Sequence, residues 1–93
     1  MSMSKQEFLV RSGLEGQTLD VWLEEQWLLP DRTSAGLNFS DIDIARARFI
    51  RDLQTGLGVN DEGVGVILHL VDQLHGLRRA LENLHKEFPR TSR

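Results

Sequence analysis

The chain has 93 residues, 40% of them hydrophobic and 27% charged, which suits one small folded domain plus a helical arm rather than a disordered tail. It contains no cysteine, which excludes a disulfide framework and thiolate metal sites. No apolar run approaches the roughly 20 residues that cross a bilayer, and nothing resembles a signal peptide, so a cytoplasmic location is expected. The formal net charge of −3 is unevenly spread. Residues 1–41 hold three cations (Lys5, Arg11, Arg32) against seven anions, whereas the remainder holds eight cations against seven anions. An acidic front half repels phosphate and favours a basic partner.

In chain order, Ser4 and Glu7 form a capping box that opens a first helix, which Ser12-Gly13 closes. A second helix is predicted from about Glu15 to Gln26, with Leu19, Trp22, Leu23 and Trp27 recurring at helical spacing and Pro30 preventing extension. Two short helices joined by a glycine-containing turn suggest helix-turn-helix. The polar stretch from Pro30 to Phe39 is expected to form a small hairpin, or wing, with Leu37 and Phe39 on one side. Ser40 then caps a third helix whose first turn carries Asp41 and Asp43, and whose buried face is expected to be Ile42, Ala45, Phe49, Ile50, Leu53 and Leu57.

Gly56-Leu57-Gly58 ends that helix, and Asn60 caps a last one beginning near Asp61. Gly63 and Gly65 weaken its first turns and would allow another backbone to approach. Farther on, Ile67, Leu70, Leu74, Leu77, Leu81, Leu84 and Phe88 alternate at spacings of three and four until Pro89, a coiled-coil seam. So narrow a stripe calls for a helix from another chain, which makes a homodimer the expected state; an amphipathic helix packed on its own domain is the alternative. The organisation read from this order is a compact domain over 1–60, a dimerisation arm over 61–88 and a frayed tail over 89–93. The fold class is mainly all-α: a winged helix-turn-helix with a C-terminal coiled-coil helix and a small wing hairpin.

At about 100° per residue, the second helix turns Gln17, Asp20, Val21, Glu24 and Glu25 away from its apolar side. A small hydrophobe among carboxylates reads as a protein-docking patch, with an ordinary solvated face as the alternative. Trp22 and Trp27 are expected in the core, and Arg46, Arg48 and Arg51 on a solvated face paired locally with Asp43 and Asp52. His69, His75 and His85 do not share a helix face, so no metal site is expected. With neither a phosphate loop nor a nucleophile elbow, the sequence points to no enzyme and no cofactor.

The succession of helix-turn-helix, wing, two helices and arm resembles the MerR-type DNA-binding domain, with Leu28-Leu29-Pro30 matching the end of its second helix and Asn38-Phe39-Ser40-Asp41-Ile42 matching the wing running into the third. The departures are specific. DNA-reading members of that class carry an arginine on the second helix and another before the final wing aromatic. Here Asp20, Val21, Glu24 and Glu25 occupy the helix, and Leu37-Asn38 precedes Phe39. DNA affinity rests on neutralising phosphates, so specific nucleic-acid binding is not expected. A narrower resemblance accommodates those departures. Through Leu28-Leu29-Pro30, Leu37-Asn38-Phe39, Gly58-Val59-Asn60 and the Leu-rich last helix, the chain is similar to the CbpM-type chaperone modulators. That resemblance implies a non-enzymatic protein that binds the basic J domain of a CbpA/DnaJ-like co-chaperone and inhibits it, and the broader MerR resemblance implies an antiparallel pairing of arms. The partner-binding residues would be Asp20, Val21, Glu24 and Glu25. A dimeric MerR-like transcription regulator drawing its cations from Arg11, Arg32 or the third helix is the alternative function, and an adaptor that only pairs through the seam is a third.

Overall fold

The computed structural model describes residues 2–87. Its elements in chain order are β1 (Ser2–Met3), α1 (Lys5–Ser12), α2 (Gly16–Glu24), β2 (Asp31–Thr33), β3 (Gly36–Ser40), α3 (Asp41–Arg51) and α4 (Asp61–Glu87). The predicted winged helix-turn-helix with a long last helix is present.

Local signals account for most boundaries. Ser4 and Glu7 cap α1 reciprocally, Glu7 N donating to Ser4 Oγ at 3.2 Å and Ser4 N to Glu7 Oε1 at 3.1 Å. Gly13 then closes the helix at φ 75°, its N–H returning to the Leu9 carbonyl, a conformation glycine adopts without steric cost. α2 stops short of the Gln26 end expected from its apolar spacing, because Gln26 turns to φ 63°. The Trp27 N–H then closes the turn on the Trp22 carbonyl at 2.9 Å. α4 opens where Asn60 was expected to cap it, with Gly63 N donating to Asn60 Oδ1 at 2.8 Å.

The wing is larger than its hairpin. β3 lies between β2 and β1, antiparallel to both, and Met3 pairs with Phe39 while Arg32 pairs with Leu37. β1 is only two residues long and leaves no period to read in the sequence. Its pairing carries β3 into the core, where the fully buried rings of Phe8 and Phe39 stack with centroids 4.4 Å apart. Around them gather Met3, Leu19, Trp22, Trp27, Leu28, Ala47, Ile50, Leu53, Val64 and Leu68. The placement of both tryptophans in the core is as expected.

Two expectations about α3 are corrected. Its buried side is Asp43, Ala47 and Ile50, followed by Leu53 in the π-helical turn Asp52–Gly56. Ile42 (77% exposed), Leu57, Ala45 and Phe49 face outward instead. The physical reason lies in the cap: Asp43 Oδ2 accepts from Ser40 N at 2.9 Å and lies buried, and drawing position 43 inward rotates Ile42 out. Nor do the arginines form a simply solvated strip paired with Asp43 and Asp52. Arg46 Nε donates to the Trp27 carbonyl, and its two terminal nitrogens reach Asp72 at 2.7 and 3.0 Å. Arg51 donates to the Ser12 carbonyl at 2.9 Å, and only Arg48 stays exposed. The Arg46 hydrogen bond holds the Asp72 carboxyl below its ordinary range, with the charges of Arg46, His75 and His69 acting in the same direction and partial burial opposing them.

Gly63 has a different role from the one expected, while at Gly65 a Cβ would meet only Trp27 Nε1, at 3.8 Å. A Cβ at Gly63 would lie 2.7 Å from Val59 Cγ1, so the close neighbour is the chain's own preceding side chain rather than another backbone. Val64 and Leu68 enter the core; Ile67 and Val71 are half-buried; the remaining α4 residues from His69 to Glu87 are exposed.

Candidate protein-binding surface

α2 is held by its apolar side. Leu19 is fully buried, Trp22 nearly so, and Leu23 half-buried, while Trp27 leans back on Trp22 with ring centroids 6.1 Å apart. With that side fixed, helical geometry turns the other outward. Gln17, Asp20, Val21, Glu24 and Glu25 are all exposed, and Val21 keeps 49% of its surface in solvent. The predicted patch residues therefore lie together on one accessible face.

Its carboxylates are not equivalent. Lys5 on α1 reaches Asp20 Oδ1 at 3.0 Å, both side chains being well exposed, so the charge of Asp20 is partly compensated. Such a pair contributes about 1 kcal/mol or less, but it weakens the field that a partner meets at that position. Glu24 and Glu25 carry the field instead. Glu25 also borders a recess of about 620 Å³ shared with Asn60, Asp61 and Glu62. The acidic surface thus passes from the end of α2 onto the first turn of α4, an extension that sequence reading missed because the two segments lie far apart in the chain.

Cations available to a polyanion are few on this side of the molecule. α2 has none; Lys5 is engaged with Asp20, Arg46 with Asp72 and Trp27, and Arg51 with Ser12. Asn38, one residue before Phe39, is half-buried in the wing. Arg11, Arg32 and Arg48 are exposed, but they belong to three different elements.

The expected pairing residues lie elsewhere. On α4, Leu70, Leu74, Leu77, Leu81 and Leu84 are 50 to 61% exposed and Ile67 is half-buried; Phe88 and the expected tail over 89–93 lie outside the described residues. The leucines fall on one side of the helix, away from the side on which Val64 and Leu68 pack. His69, His75 and His85 are exposed singly, and among the described residues no group of three or more His, Asp or Glu could hold a metal ion. No helix of the described residues is long and apolar enough to cross a membrane.

A winged helix-turn-helix with this order of elements defines a class of regulatory proteins. The model of MerR HTH family regulatory proteins matches residues 3–86, and the chain belongs to that family. No curated protein matches it.

Proposed function

We propose that the chain is a non-enzymatic modulator that binds the J domain of a CbpA/DnaJ-like co-chaperone through its acidic α2 surface and inhibits that co-chaperone, acting as a homodimer paired through the α4 seam. The observation that carries this reading is the outward face of α2, where a nucleic-acid reader needs cations and this helix presents Asp20, Glu24 and Glu25 around the exposed Val21. A groove full of phosphates repels such a face. A basic helix is attracted to it, with the carboxylates steering encounter and the apolar centre contributing burial. The similarity to CbpM-type modulators supplies the identity of the basic partner. Membership in the MerR HTH family of regulatory proteins supports a regulatory rather than a catalytic role.

Isothermal titration of the purified chain against the J domain of the host's CbpA-like protein, at low and moderate salt and with a random DNA duplex as control, tests the proposal. The expected result is binding to the J domain that weakens with salt, and no binding to the duplex. Glu24→Lys should weaken that binding by about tenfold or more, equivalent to roughly 1.4 kcal/mol. It is a cleaner probe than reversal at Asp20, where a new lysine would also confront Lys5. Binding to DNA alone would return the chain to the transcription regulators.

A further inference from the structure

Past Leu68, α4 has little to lie on. Every residue from His69 to Glu87 is exposed except the half-buried Val71. Alongside, α3 and α4 flank an open apolar groove of about 390 Å³ walled by Ile42, Ala45, Phe49, Leu68, Val71 and His75. Apolar burial therefore does not close the two helices on each other along this length. The buried anchors, Val64 and Leu68, sit one turn apart near the start of the helix. The stretch from Leu68 to the end of α4 at Glu87 forms a lever of roughly 28 Å, so a small rotation about those anchors would displace the seam greatly.

Only one polar strut crosses the groove among the described residues. Arg46 reaches Asp72 through both terminal nitrogens at 2.7 and 3.0 Å, and its Nε donates to the Trp27 carbonyl beyond the end of α2. A bidentate pair fixes orientation as well as distance. The arginine is also the more sheltered partner, with 18% of its side chain exposed against 48% for Asp72. We propose that Arg46 is the positioning residue of the arm: one guanidinium ties the turn after α2, the helix α3 and the helix α4 together, and thereby sets the direction in which the leucine seam leaves the domain. Lysine cannot substitute, because a single ammonium lacks the planar fork that makes all three contacts. This assignment does not depend on what α2 binds.

The absence of cysteine from the sequence makes the test direct. Spin labels at Arg48→Cys and Glu82→Cys, both exposed and off the seam, report the angle between α3 and the arm. Labels at Arg11→Cys and Arg48→Cys report the domain alone. Each labelled chain is diluted into excess unlabelled chain so that only intramolecular distances are read by pulsed electron resonance. The parent should give a narrow distribution for the arm pair. Asp72→Asn and Arg46→Lys should each shift and broaden it while leaving the domain pair unchanged. An arm distribution unchanged in both variants would show that Val64 and Leu68 suffice. Movement of both pairs in both variants would assign Arg46 to the fold of the domain. Either result overturns the proposal.

Discussion

The ionisation of Asp72 is shifted in the folded chain, and the sign of the shift makes a prediction. Its folded-state pKa lies below the ordinary 3.8, chiefly through the Arg46 hydrogen bond. A depressed pKa stabilises the folded state fully above the unfolded value, and the contribution disappears as pH falls through the folded one. Because Asp72 is half exposed, solvent screening limits the gain to about 1 kcal/mol. Urea unfolding of the native chain and of Asp72→Asn should therefore differ by a constant small amount from about pH 7 to about pH 5, and the two should begin to converge near about pH 4 and meet only once the pH has fallen below the depressed folded-state value. A difference that persists undiminished into strong acid would mean that the amide disturbs packing rather than charge. At this scale the acidic face of α2 was legible in the sequence, because exposure follows from helical spacing once Leu19 and Trp22 are buried. Its neighbours were not. Lys5 lies 15 residues from Asp20, and Asp61 and Glu62 come from the start of another helix, distances in the chain at which no periodic pattern survives.

The elements themselves followed their caps. Ser4, Gly13, Ser40 and Asn60 each mark a helix end, because the orphan groups of a helix terminus demand specific side chains or a left-handed turn. The reading of α3 failed for a reason of the same kind. Its apolar residues allow more than one face, and the choice was made by Asp43 folding back on Ser40, a bond that a count of hydrophobic positions ignores. Glycines in α4 now separate into two kinds. A Cβ added at Gly76 would meet nothing within 4 Å, whereas at Gly63 that atom would press on Val59 Cγ1 and on the capping oxygen of Asn60, 3.1 Å away. Alanine at position 76 should raise stability by up to about 1 kcal/mol through helix propensity. At position 63 the same substitution should lower it, since the clash and the disturbed cap outweigh the propensity gain. Thermal unfolding of the two variants side by side checks the contrast, and equal gains would show that Val59 can step aside at no cost.

For the whole molecule, the proposed pairing concerns surface that the domain leaves uncovered. Leu70 through Leu84 stand in solvent on the length of α4 that lies past its anchors Val64 and Leu68, and a row of half-exposed leucines is more surface than scattered apolar residues explain. Leu77→Asp would bury a charge at the centre of a paired seam, costing several kcal/mol unless the group neutralises. In sedimentation the variant should run as a monomer with the domain still folded, because Leu77 stands in solvent well beyond the anchors Val64 and Leu68. A variant that keeps the mass of the unaltered assembly would remove the seam from the interface.

Continuity of α4 from core to seam has a kinetic consequence. Amide protons around the buried Val64 and Leu68 should exchange far more slowly, toward the global limit, whereas those toward the far end should open by local fraying unless another chain covers them. In the proposed homodimer, one uninterrupted helix would therefore carry two clocks: its early turns would report the lifetime of the fold, and its later turns the lifetime of the pairing.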